Sequence, residues 1–127
     1  MYQPKLYRTL IVDDSPIFLK WLRTTLDDTE DFEVIGQATN GVDAFAQVLE
    51  LEPDLLITDF FLPDIDGLEL ANSLTPLLPN LNVIIISSHD AEVNAALEAS
   101  NQAATFISKS GLNASALRTL LSGAAKQ

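Results

Sequence analysis

Short apolar runs alternate with longer amphipathic ones along this chain, and the alternation occurs five times. Leu6 to Val12 is apolar and stops abruptly at Asp13-Asp14-Ser15-Pro16. That pattern predicts a buried strand followed by a helix start, with Pro16 in the first turn, where no backbone N–H is required. Ile17, Phe18, Trp21, Leu22 and Leu26 then recur at helical spacing, and Asp27 to Asp31 is a polar loop. Phe32 to Ala38 predicts a second strand. Asn40-Gly41 reads as a turn, and Val42, Phe45, Ala46 and Leu49 mark a second helix. Pro53-Asp54 opens a third strand, Leu55 to Thr58, which runs into Asp59. A loop from Pro63 to Gly67 precedes a third helix from about Leu68, limited at its end by Pro76 and Pro79.

Val83 to Ile86 is the most apolar strand and ends in Ser87-Ser88-His89-Asp90. Val93, Ala96 and Leu97 predict a fourth helix from about Ala91, Ala104 to Ser108 a fifth strand, and Leu117, Leu120, Leu121 and Ala124 a fifth helix. The segment from about Ser122 to Gln127 is small and polar, a frayed tail or the start of a linker. Strands buried on both faces and alternating with helices imply an α/β fold, a parallel sheet with helices on both sides and right-handed crossovers. The 127 residues suit a single domain.

Composition narrows the function. The formal net charge of −11 disfavours direct nucleic-acid binding, although acidity could equally serve solubility alone. With no cysteine, disulfides, thiolate metal sites and cysteine nucleophiles are excluded. A single histidine, His89, excludes a multi-histidine metal site within one chain. The residues from Met1 to Lys5 lead into a strand without a secretory pattern, and the apolar runs are far shorter than a membrane span. The expected location is cytoplasmic.

In an open α/β sheet, ligands bind beyond the carboxyl ends of the strands. The residues there are Asp13 and Asp14 after the first strand, Asp59 after the third, Ser87 after the fourth and Lys109 after the fifth. Three neighbouring carboxylates repel one another and call for a cation. All-oxygen ligation favours Mg²⁺, with Mn²⁺ as a substitute, over zinc or copper. A carboxylate can itself act as nucleophile and form an aspartyl phosphate. One carboxylate for attack, two for metal, a hydroxyl and an ammonium make a set for phosphoryl transfer. Singly, each residue has a plainer reading: Asp13 and Asp14 as helix caps, Lys109 as a surface lysine, Ser87 as a loop polar group.

The motifs Leu10-Ile11-Val12-Asp13-Asp14-Ser15, Pro53-Asp54-Leu55-Leu56-Ile57-Thr58-Asp59, Pro63 with Asp66-Gly67, Ile84-Ile85-Ile86-Ser87-Ser88 and Phe106-Ile107-Ser108-Lys109 closely resemble the response-regulator receiver family. The resemblance covers nearly the whole chain. It implies a flavodoxin-like doubly wound sheet of five parallel strands in the order 2-1-3-4-5 with five helices. It further implies Asp59 as phosphoacceptor, Asp14 as direct Mg²⁺ ligand with Asp13 assisting, and the Phe61 backbone carbonyl as a further ligand. Ser87 corresponds to the switch hydroxyl, Lys109 to the phosphate-contacting lysine and Phe106 to the aromatic switch, although Phe106 fits a plain core role equally well. Phe61 and His89 occupy the two variable positions that tune phosphoryl lifetime. The implied partners are a sensor histidine kinase or phosphotransfer protein, and a second copy through the helix 4–strand 5–helix 5 face or through helices 1 and 5. The segments Ser87 to Asp90 and Lys109-Ser110-Gly111 are most similar to receivers that precede a helix-turn-helix DNA-binding domain, the NarL/FixJ type.

Three departures from the family pattern stand out. Ser110 replaces a common proline, Asn101-Gln102 replaces a glycine-containing turn, and Phe61 with His89 makes a bulky lifetime-tuning pair. Two rival readings are a metal-dependent phosphatase and a receiver-fold adaptor without phosphotransfer. The first would need an acid–base carboxylate where Phe61 stands, and the second usually lacks one of the acidic or lysine positions, all of which are present here. The expected chemistry is therefore self-phosphorylation and self-dephosphorylation, with no separate substrate turned over.

Overall fold

The computed structural model describes residues 5–88 and 104–123. It has five strands, β1 (Tyr7–Val12), β2 (Phe32–Ala38), β3 (Leu55–Asp59), β4 (Asn82–Ser87) and β5 (Thr105–Ser108). All neighbouring pairs are parallel, in the order β2-β1-β3-β4-β5. The helices among the described residues are α1 (Pro16–Asp27), α2 (Gly41–Leu51), α3 (Gly67–Leu74) and a last helix, Ala114–Gly123, preceded by a 3₁₀ turn at Lys109–Gly111. The expected fourth helix from about Ala91, together with His89 and Asn101-Gln102, lies outside the described residues.

Period-two alternation in the strands builds two cores. Leu10, Val12, Leu56, Val83 and Ile85 face α2 and α3, where Ala44, Val48, Leu70, Ala71 and Leu74 meet them. Ile11, Leu55, Ile57, Ile84 and Ile86 face α1 and the last helix, against Leu19, Leu22, Leu26 and Leu117. Only the inner strands are buried on both faces. β2 and β5 close the sheet as partly exposed edges, correcting the expectation that every strand is buried on both sides.

The helix faces also differ from expectation. On α1, Ile17 is 83% exposed and Trp21 lies at the surface, while Leu19 joins Leu22 and Leu26 inside. On α2, the stripe Val42, Ala46 and Leu49 faces solvent, Phe45 is half-buried, and Gly41, Ala44 and Val48 form the inner face. Asn40-Gly41 is a helix start rather than a free turn: the Asn40 side chain accepts the Asp43 N–H at 2.8 Å. Asp66 caps α3 in the same way, accepting from Glu69 at 2.7 Å. Helix α3 ends at Leu74, ahead of Pro76, as the proline demands.

Candidate functional site

The carboxyl ends of β1 and β3 bring Asp13, Asp14 and Asp59 together. One carboxylate oxygen from each lies within 4.8 Å of the others. Asp13 is fully buried and Asp59 is 7% exposed, while Asp14 opens to solvent. Asp59 ends β3 opposite Ile86, and Ser87 follows one step further along β4, buried and aligned with Ser108 of β5. Lys109 extends from the end of β5 across this edge. Its ammonium is 2.8 Å from Asp13 Oδ2 and 3.6 Å from Asp59 Oδ2.

The turn into α1 is built around the acidic pair. Asp13 Oδ1 accepts the Ser15 N–H at 2.9 Å, and Ser15 itself caps α1 by accepting from Phe18. Asp13 thus shapes the strand–helix turn with one oxygen and faces the cluster with the other. That second oxygen is buried and receives no well-aligned hydrogen bond; the Lys109 ammonium is its neighbouring counter-charge. Three carboxylates therefore meet one ammonium in a mostly buried setting. Burial first, then the charge of Asp13, push the Asp59 carboxyl above its ordinary value, against smaller opposing contributions from Lys109 and the Phe61 N–H. Three converging carboxylates, with the buried Asp13 Oδ2 held by an ion pair rather than by a well-aligned hydrogen bond, fit a hard divalent cation such as Mg²⁺.

Two features support the site that sequence reasoning did not reach. The Phe18 ring lies under Lys109, with the ammonium 4.3 Å from its centroid, and Phe18 in turn tilts against Trp21. An aromatic in the first turn of a helix that follows paired aspartates was the available signal. The second feature is the loop after Asp59. Gly67 donates to the Phe60 carbonyl at 2.6 Å, and a Cβ on Gly67 would sit 2.5 Å from the Asp59 carbonyl oxygen. Only glycine lets α3 start this close to the end of β3.

Phe61 is partly exposed beside the buried Phe60, in edge-to-face contact with it. Phe106 is half-buried on β5 and packs against the core on the α2–α3 side. Ser110 sits inside the 3₁₀ turn, its N–H reaching the Ser108 hydroxyl at 3.3 Å, and the described residues contain no cis peptide bond. No helix among the described residues is long and apolar enough to cross a membrane.

Residues 9–122 match the family model described as response regulator receiver domain. The chain is 39% identical over 92 residues to protein-glutamate methylesterase/protein-glutamine glutaminase 5 of Myxococcus xanthus, covering 72% of this chain and 26% of that protein. It is 34% identical over 93 residues to the response regulator protein VraR of Staphylococcus epidermidis, covering 72% and 44%. The chain thus spans between a quarter and under half of the length of these curated relatives. Among solved structures, the receiver domain of NarL from Mycobacterium tuberculosis superposes with a TM-score of 0.80 at 28% identity, covering 98% of this chain and all of that one. The isolated receiver domain of RcsB from Salmonella enterica, solved with the phosphomimetic BeF₃⁻, gives 0.78 at 25% identity, covering 94% and 91%.

Proposed function

The chain belongs to the response regulator receiver domain family, and from that premise we propose that it is a phosphorylation switch in which Asp59 accepts a phosphoryl group from a histidine kinase or phosphotransfer protein. One observation supports this above the others: the Asp13, Asp14 and Asp59 oxygens converge within 4.8 Å, with the Lys109 ammonium reaching Asp13 and Asp59. Asp13, Asp14 and Asp59, with the Phe61 backbone carbonyl, are the residues that would hold Mg²⁺ or Mn²⁺. When bound, the cation offsets charge on the phosphoryl oxygens and on the carboxylates.

The chain's own residues do the rest. A carboxylate oxygen of Asp59 attacks phosphorus. The new P–O bond forms as the bond from phosphorus to the donor's imidazole nitrogen breaks, and its electron pair leaves with that nitrogen. Lys109 gives up its close contact with Asp13 for a phosphoryl oxygen, held in place from below by the Phe18 ring. The Ser87 hydroxyl, one step beyond Asp59 along the sheet edge, donates to another. That new bond draws on the end of β4, and Phe106 on the adjacent β5 responds by repacking. Together they bias the face that includes β5 and the last helix toward a partner, an output domain or a second copy. Phe61, at the rim of the site, and His89 restrict the water that would hydrolyse the phosphoaspartate.

The similarity to VraR and to the receiver domains of NarL and RcsB supports a role in transcription regulation within a longer protein. The methylesterase relative marks enzyme control as the other output class. A phosphorylation-independent adaptor remains the competing reading. Intact mass measurement after incubation with acetyl phosphate and Mg²⁺ decides between them. One added phosphoryl group on the wild type, absent from Asp59→Asn and from a chelated sample, is expected. No adduct under conditions that label another receiver domain would favour the adaptor.

A further inference from the structure

Asp64 lies in the loop after Asp59, and its carboxylate reaches a helix more than twenty residues back in the chain. Oδ1 accepts the Gly41 N–H at 2.8 Å and Oδ2 the Val42 N–H at 2.9 Å, while its own neighbour Ile65 donates to Oδ1 at 2.9 Å. The Gly41 and Val42 amides are among the donors that a helix start leaves unpaired. Asn40 caps the same helix locally through Asp43, so the two side chains divide the free donors between them. The amide of Val42 lies at an exposed position where water would serve as well. What the carboxylate adds is location, because it fastens the loop to α2.

The packing repeats the message independently. A Cβ on Gly41 would overlap the Ile65 side chain and come within 3.1 Å of Asp64 Oδ1. The loop therefore rests directly on the α2 backbone. It is also held by the Phe60 N–H to Ile86 O bond at 2.9 Å, the Gly67 N–H to Phe60 O bond at 2.6 Å and the Phe61 N–H contact to Asp59 Oδ1 at 3.4 Å. Between Phe61 and Asp64 stand only Leu62 and Pro63, and the proline ring fixes its own φ. With Phe60 tied on one side and Asp64 on the other, the Phe61 peptide has little freedom left.

We propose that Asp64 is a positioning residue for the divalent cation: by tying the loop to the start of α2, it sets the Phe61 carbonyl relative to Asp13, Asp14 and Asp59. The inference rests on the reading of that cluster as a Mg²⁺ site. It joins α2, a helix with no residue in the cluster, to the cation's coordination.

The test uses the full chain, with Mg²⁺ binding followed by calorimetry and amide exchange measured by NMR on the metal-free protein. Asp64→Ala is expected to weaken Mg²⁺ binding about tenfold, the usual scale for a residue that orients a ligand. Asp64→Asn, which retains one acceptor oxygen, should recover part of that loss. In metal-free Asp64→Ala, the Phe61 and Gly67 amides, which Asp64 does not touch, should exchange faster than in the wild type. A variant that binds Mg²⁺ as the wild type does, with faster exchange confined to Gly41, Val42 and Ile65, would reduce Asp64 to a helix cap and overturn the proposal. Absence of Mg²⁺ binding by the wild type itself would overturn the cation reading first, and this inference with it.

Discussion

At the amino end of the sheet, Asp54 Oδ2 accepts the Arg8 N–H at 2.9 Å, and the Asp54 N–H returns a bond to the Arg8 carbonyl at 2.8 Å. The Arg8 guanidinium goes on to the Leu51 and Glu52 carbonyls at the end of α2, where a cation suits the helix dipole. Asp31 pairs with Arg118 of the last helix at 2.8 Å. At the carboxyl end, the same residue type is arranged differently. Three aspartates crowd together, one buried oxygen has no well-aligned donor, and among the described residues a single ammonium serves the group. One end of the sheet uses carboxylates to close the fold, while the other holds them in a state that a ligand would relieve. Functional sites often sit where local stability has been given up.

The most disruptive way to test that division is to force a methyl group into the close approach between β3 and α3. Gly67→Ala places a methyl group 2.5 Å from the Asp59 carbonyl oxygen, and that neighbour is backbone rather than a flexible side chain. The end of β3 or the start of α3 must shift. Urea denaturation should show a loss of about 2–3 kcal/mol, and labelling by acetyl phosphate should fall with it. A stable, fully labelled variant would mean that the loop yields easily and that the site is less tightly built than its contacts indicate.

How much of this was legible in the sequence follows from the same contrast. The sheet was readable because period-two burial leaves no ambiguity in the inner strands: Leu10 and Val12 point one way, Ile11 the other. The site cluster was readable because strand order carries distant residues to one edge, so Asp13, Asp14, Asp59 and Lys109 needed only their places after the strands. The inner face of α2 was not. Its sequence Gly-Val-Asp-Ala-Phe-Ala-Gln-Val-Leu supports two apolar stripes, and the larger residues suggested Val42, Phe45, Ala46 and Leu49. The structure buries the smaller stripe, Gly41, Ala44 and Val48, because the helix start lies close under the loop that carries Ile65. Asp64 was equally hidden, since its partners are backbone amides, which have no signature in side-chain pattern. Asp31, read as part of a polar loop, pairs with Arg118, a partner 87 residues away that no local pattern announces.

A smaller effect is expected at the opposite end. Asp54→Ala removes the acceptor of the Arg8 N–H from a half-buried position, and should cost about 1–2 kcal/mol in urea denaturation. Labelling of Asp59 should stay at the wild-type level, because no contact of Asp54 reaches the cluster. Loss of labelling in a folded Asp54→Ala protein would show that the two ends are coupled through β3, and the functional division between them would fail.

The smallest effect is also the one whose sign discriminates most. In metal-free protein, the raised pKa of Asp59 means that the folded state holds this proton more tightly than the unfolded state does. Stability from this group then falls as pH rises from the unfolded value, near 3.8, through the folded one, and the deficit is complete above both. Asp59→Asn removes the titration and keeps the shape. With chelator present, thermal midpoints measured from neutral pH downward should show the variant above the wild type at neutral pH, with the gap closing as pH falls through the folded value of Asp59. Lys109 and the Phe61 N–H oppose burial and the charge of Asp13, so the gap should be modest. A variant less stable than the wild type at neutral pH would mean that those two partners outweigh burial. The carboxyl end would then hold its charges as comfortably as the amino end does, and cation binding would have no relief of carboxylate crowding to draw upon.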